Sequence, residues 1–199
     1  MRRSTINKLL AAAGVLVLAV GGLLLWGSAY IHNEVTSQLS AQQVYFPAAS
    51  AFAHPKAGTE ITPSMIPSVS QYAGQQLLTG QQAEAYADHF IAVHLQEIGG
   101  GKTYSQLSAE TFTLSPKSAQ YAAVEAQVQT VFRGDTLRSM LLNAFGWWKV
   151  SQIAYIAALT AFGLGAIALA AGCFGIARAG FRREEAAIVE HARQAAEVA

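Results

Sequence analysis

The sequence predicts an all-α membrane protein in which two transmembrane helices flank a mostly helical extracytoplasmic domain. Three observations predict it. Residues 9–31 and 153–177 contain no Lys, Arg, Asp or Glu, and at about 1.5 Å per helical residue each exceeds the roughly 30 Å hydrocarbon core of a bilayer. Seven of the thirteen basic residues, Arg2, Arg3, Lys8, Arg178, Arg182, Arg183 and Arg193, lie in the two tails outside these stretches. The segment between them carries helix caps and helix stops but no sustained strand alternation.

The boundaries follow from these features: an N-tail at 1–8, a first span at 9–31, an intervening domain at 32–149, a second span at 150–177 and a helical tail at 178–199. The positive-inside bias predicts both tails in the cytoplasm and a plasma-membrane location. The domain, with six basic and eight acidic residues over 118 positions, exerts little retention and is expected outside. Signal-peptide apolar regions are usually about 7–15 residues long, so the 23-residue first span reads as an uncleaved anchor. The near-neutral net charge of +1 points to no nucleic-acid partner. Cys173, the single cysteine, falls inside the second span, leaving the domain without a disulfide.

Past the first span, residues 34–44 contain no helix breaker and are expected to continue it. Pro47, Pro55, Pro63 and Pro67 then punctuate a Pro-rich loop at 47–73, whose Phe52, Met65 and Ile66 are expected to pack on the domain. Thr79 and Gln82 form a capping-box pattern, predicting a helix over 80–98 stopped by Gly99, Gly100 and Gly101. Ser115 and Pro116 read as N-cap and N1 of a helix to Phe132, with Tyr121, Val124, Val128 and either Val131 or Phe132 inward. Gly134 is expected to end that helix and Asp135 to cap the next, which carries Leu137, Met140, Leu141, Phe145 and Trp148 into the second span.

The second span has a row of small residues at alternating steps of four and three: Ala154, Ala158, Ala161, Gly165, Ala168, Gly172, Gly175 and Ala179. Membrane helices associate where small residues let backbones approach, so this row is a predicted helix-contact seam. Gly14, Gly21 and Ser28 make a sparser matching row, and the simplest pairing is antiparallel and left-handed within one chain; another copy or a different subunit is the alternative. Tyr155, Leu159, Phe162, Leu169 and Ile176 form the opposite, bulky face, expected toward lipid. Trp26, Tyr30, Trp147 and Trp148 stand at the span ends as expected interfacial anchors.

Motifs for chemistry fail on spacing. Gly100-Gly101-Lys102-Thr103 lacks the P-loop's first glycine, a position held by Gln96. Arg133-Gly134-Asp135 is explained by capping. His32, His54, His89 and His94 show no metal-ligand spacing, and His89 and His94 diverge by about 140° on a helix. His94 and Glu97, at i and i+3, are the one candidate polar pair. No catalytic, metal or cofactor site is therefore expected.

The segments Gln42-Gln43-Val44-Tyr45-Phe46-Pro47, Tyr72-Ala73-Gly74-Gln75-Gln76, Ala85-Tyr86-Ala87-Asp88, Gly100 through Gln106, Arg133 through Arg138 and Leu141-Leu142-Asn143-Ala144 resemble those of a family of actinobacterial two-span membrane proteins, over about residues 42–148 and into the second span. Such proteins are often called aromatic ring-opening dioxygenases. Extradiol ring opening uses a two-His-one-carboxylate iron site on a large soluble scaffold, and neither the spacing nor the scaffold is present. The resemblance implies an actinobacterial plasma membrane and a shared external helical domain. Together these features predict a non-enzymatic membrane component that binds or assembles with envelope proteins or with its own copies; the alternative is a small-ligand sensor signalling through a separate partner, and an enzyme ranks third.

Overall fold

The computed structural model describes residues 3–198; Arg2 of the basic N-tail and Ala199 of the C-terminal tail lie outside the described residues. The chain is all-α. Two long helices, α1 (Arg3–Ala41) and α6 (Ala119–Val198), flank the short helices α2 (Ile66–Val69), α3 (Gly80–Tyr86), α4 (Ala92–Ile98) and α5 (Tyr104–Thr111). Both long helices are apolar enough over a sufficient length to cross a membrane. The contacts divide into two units, one joining the residues up to Ala29 with those from Gln152 on, the other formed by Tyr30–Ser151.

In the second unit, α1 ends where Gln43 takes the left-handed conformation (φ 51°), and the Gln76 amide donates to the Ser40 carbonyl at 3.0 Å. Beyond the turn, Tyr45 and Gln76 form an isolated antiparallel bridge. The Phe46 N–H donates to the Gln75 carbonyl and the Leu77 N–H to the Val44 carbonyl, each at 2.9 Å. This bridge clamps the two ends of the Pro-rich loop. Inside the loop the prolines break regular helices into single turns, Ala49–Ala53, Pro63–Met65 and Ser70–Tyr72, with α2 among them. Ile61, Met65 and Val69 are nevertheless buried. They join Val35 and Leu39 of α1, Phe46, Leu77, Ala83 and Trp148 of α6 in one core. Each large apolar side chain so buried contributes about 1.5–3 kcal/mol, which is what holds a loop without regular structure in place.

The Thr79 capping box is complete: its hydroxyl accepts from the Gln82 N–H, and the Gln82 side chain accepts from the Thr79 N–H. The helix predicted over 80–98 departs from expectation at one place. A π turn occupies Ala87–Ile91, with the Ala92 N–H reaching back to the Ala87 carbonyl, so α3 and α4 are separate α segments. The glycine stop is a Schellman motif, in which Gly101 N–H bonds Gln96 and Gly100 N–H bonds Glu97, with both glycines at positive φ.

Helix α5 is not among the sequence expectations, although its Thr103 and Gln106 form a second complete capping box. Lys102, the lysine of the P-loop lookalike, pairs with Glu110 at 2.6 Å. Leu107 of α5 and Val124, Val128 and Val131 of α6 make a second small core with Leu114 beside it.

Two capping expectations for the last helix are corrected. The cap is Ser118 rather than Ser115, its hydroxyl accepting from the Tyr121 N–H at 3.0 Å, and α6 starts at Ala119. Gly134 does not end the helix and Asp135 caps nothing; both are interior to α6. The glycine is there for proximity, because a Cβ at Gly134 would run into the Leu95 side chain of α4. About one helical turn further along that face, Arg138 donates through Nε and Nη2 to one oxygen of Asp88 at 3.0 and 2.7 Å, tying the π turn to α6.

Gly80 is the tightest of these approaches, since a Cβ on it would overlap the Cβ and Cγ of Trp148, atoms that cannot swing aside. Gly80→Ala is therefore expected to lower the stability of the detergent-solubilised chain by about 1–3 kcal/mol, the usual range for overpacking. Gly146→Ala, a position with nothing within 4 Å, is expected to be neutral or slightly stabilising. Thermal unfolding of the two variants beside the parent checks both signs.

Candidate functional site

The small-residue row of the second apolar stretch lies against α1 of the same chain. A Cβ on Gly172 would stand 2.5 Å from the Ala11 nitrogen, one on Gly14 2.6 Å from the Leu169 nitrogen, and one on Gly165 3.0 Å from the Leu18 nitrogen. Gly21 faces Ala158 and Ala161, and Gly175 faces the Asn7 side chain. The pairing order descends along one helix as it ascends along the other, so the helices run antiparallel. Ala158, Gly165 and Gly172 are buried, as are Gly14, Gly21 and Ser28, each set at steps of seven. Ala154, Ala161, Ala168, Gly175 and Ala179 are partly buried beside them. A seven-residue spacing keeps two helices in register only when they wind left-handedly about each other.

The bulky face is less uniform than expected. Tyr155, Leu159 and Ile176 are exposed, but Phe162 and Leu169 are half-buried because they flank the seam and meet Gly21 and Gly14. Trp26, Tyr30 and Trp147 are exposed at 68%, 60% and 53%, whereas Trp148 is 6% exposed. Trp148 is thus a core residue of the Tyr30–Ser151 unit rather than an interfacial anchor. Its ring lies 4.1 Å from that of His32 and covers Gly80.

His94 and Glu97 do not form a pair. The His94 Nδ1 lies 2.9 Å from the Phe90 carbonyl and its ring meets Phe90 edge-on, while Glu97 is exposed. Both residues lie in α4, past the π turn, so their spacing is regular and it is the orientation of the His94 ring that separates them. His94 instead ends a run of rings, Tyr72, Phe46, Tyr86, Phe90 and His94, with successive centroids 4.6–5.3 Å apart. Among the described residues, no three His, Cys, Asp or Glu side chains gather as a metal-binding group.

What the fold does build, within the Tyr30–Ser151 unit, is a groove of about 760 Å³. One wall is the α1 face Val35, Gln38 and Leu39, extended by Gln42 just past the end of the helix. The other is the α6 face with Leu137, Met140, Leu141, Ala144 and Trp147, and the floor is Val44, Leu77, Tyr86 and Ile91. The π turn explains the last two. Residues five apart diverge by about 140° on an α-helix, whereas a π turn closes i onto i+5 and brings them to one side. Thr136, Ser139 and Asn143 complete the lining, which contains no charged residue. Thr136 and Ser139 spend their hydroxyls on the Phe132 and Asp135 carbonyls of their own helix. The volume lies in the range of ordinary ligand sites, roughly 300–1,000 Å³.

Tyr86 on the groove floor has its phenol pKa raised, first by burial and then by the negative charge of Glu60. Both disfavour the phenolate. No protein-family model matches the chain, and no curated protein or solved structure is significantly similar to it.

Two outcomes follow from this geometry. Gly172→Leu or Gly165→Leu is expected to destabilise the α1–α6 contact by about 1–3 kcal/mol or more, while Gly163→Leu, with open space around it, leaves it intact. Thermal unfolding in detergent distinguishes the two sets. For Tyr86, a folded pKa above the usual value of about 10 means that its contribution is complete below that pH and is lost as pH rises through the raised value. Stability measured against alkaline pH should fall less steeply in Tyr86→Phe than in the parent.

Proposed function

We propose that the chain is a non-enzymatic two-span membrane protein, with both tails cytoplasmic, whose extracytoplasmic helical domain is a binding module. The observation that carries the binding reading is the uncharged groove walled by α1 and α6. Its shape and lining suit capture rather than chemistry, since they offer apolar contact and amides but no acid, base or nucleophile pair.

Several features support the membrane placement. Only 11% of the apolar window of each long helix is buried, whereas the core helix of a soluble protein would be mostly covered. Trp26, Tyr30 and Trp147 expose amphipathic rings next to the apolar stretches. The basic tails favour the cytoplasmic side for both ends, and the likeness of residues 42–148 to actinobacterial two-span proteins is in keeping with it. Because the seam is filled by the chain's own first helix, it supplies no argument for a further subunit, and the weight moves from assembly to the groove.

The placement is tested with single cysteines in a Cys173→Ala background. Ser118→Cys is expected to react with a membrane-impermeant thiol reagent in intact cells with a permeable outer envelope, and Ala196→Cys only after lysis. Labelling of Ala196→Cys in intact cells would overturn the hairpin.

A further inference from the structure

We infer that the groove between α1 and α6 takes an ester-linked fatty-acyl chain of a membrane lipid. The inference rests on the binding reading above and names the ligand class of that same site.

Three observations select this occupant. First, sixteen residues line the groove and none is charged. A phosphate, carboxylate or ammonium group placed there would lose its hydration without an ion partner, a cost of several kcal/mol. A hydrocarbon occupant pays nothing of the kind and covers apolar groove wall that water would otherwise wet, worth about 25 cal/mol per Å² of that wall; the acyl chain itself, coming from bilayer hydrocarbon, gains nothing by the transfer. Second, the polar groups that remain are hydrogen-bond formers without charge. The amides of Gln42 and Asn143, both solvent-exposed, hold no side-chain hydrogen bond to other described residues, and burial raises the pKa of the Tyr86 phenol, which like any phenol is uncharged at neutral pH. Amide N–H groups match the acceptor oxygens of an ester, the one polar group next to a lipid's chain. Third, the walls are tethered to the apolar stretches. Val35 follows Ile31 by four positions, and Trp147 precedes Ile153 by six, so a short helical tether joins each wall to a candidate span.

The exposure of the α6 wall fits the same occupant. Leu137 and Met140 are 57% and 63% exposed although they face a concave apolar surface, and a chain lying in the groove would cover them. Ile91 and Tyr86 are brought to the floor only by the π turn, a feature that often marks functional sites.

The test uses the full chain in phosphatidylcholine vesicles doped with a phosphatidylcholine that carries a photoreactive group in one acyl chain. After illumination, adducts are mapped by mass spectrometry. The expected result is labelling of groove residues, Leu137, Met140 and Trp147 among them, in addition to the apolar stretches. Met140→Asp, which puts a carboxylate into the groove from an exposed position, is expected to cut the groove adducts about tenfold or more because that charge must be desolvated. Phe112→Asp, at an 87% exposed position outside the groove, should leave them unchanged. Adducts confined to residues 9–31 and 153–177, or groove adducts indifferent to Met140→Asp, would overturn the inference. A parallel arm places a photoreactive amino acid at Met140 in native membranes. A protein adduct with no lipid adduct overturns the acyl-chain assignment and leaves the binding reading standing, whereas no adduct of either kind overturns both.

Discussion

Close approach of two helix backbones is the constraint on which the α1–α6 pairing depends. With backbone nitrogen atoms of α1 and α6 only 2.5–3.0 Å from where a Cβ on Gly14, Gly165 or Gly172 would stand, a side chain there would force the helices apart. In water such a contact would be weak, because burying glycine removes little apolar surface. In a hydrocarbon setting, leucine-rich faces gain nothing by leaving lipid, and only dispersion and backbone proximity discriminate one packing from another. The same residues that make the row nearly featureless as a hydrophobic pattern make it specific as a surface.

The middle region obeys a different rule. Its short helices and broken loop bury large side chains, and its stability rests on Ile61, Met65, Leu77, Leu107 and Trp148 rather than on length of helix. Helices of seven or eight residues are marginal alone. Two capping boxes, at Thr79 and Thr103, and one Schellman stop supply the end groups that such short segments need. The Asp88–Arg138 pair is partly exposed, so it fixes geometry more than it adds stability.

What could be read in advance was what is local or periodic. The Thr79–Gln82 box, the glycine stop and the small-residue row are patterns within one segment, and each appears in the structure at its residues. The Thr103–Gln106 box has the same grammar and is equally legible, although Thr103 also belongs to the phosphate-loop lookalike Gly100-Gly101-Lys102-Thr103. Gly134 shows the limit: a glycine between two helical patterns and a glycine that admits Leu95 look identical in sequence, since the partner lies 39 positions away. Trp148 reads as an anchor only from its nearness to an apolar stretch, whereas its burial involves Gly80 and His32, which no local rule connects to it. The π turn leaves no periodic trace, and the groove needs residues from α1, α6 and the π segment at once. His94 and Glu97 stay apart for another reason: both lie in the regular α4, but the His94 ring turns back to the Phe90 carbonyl and Glu97 remains in solvent.

The antiparallel sense of the α1–α6 seam does not rest on electrostatics. Each helix carries the equivalent of about half a positive charge at its N-terminus and half a negative charge at its C-terminus. Side-by-side helices of opposite direction set these fields against each other, and the interaction grows as the axes draw together and the surroundings become less polar. Here the ends are offset: α1 begins beside the body of α6, which runs on to Val198, more than twenty residues past the Gly175 that faces Asn7, so the terminal charges do not meet and the relative direction is set by the small-residue contacts themselves.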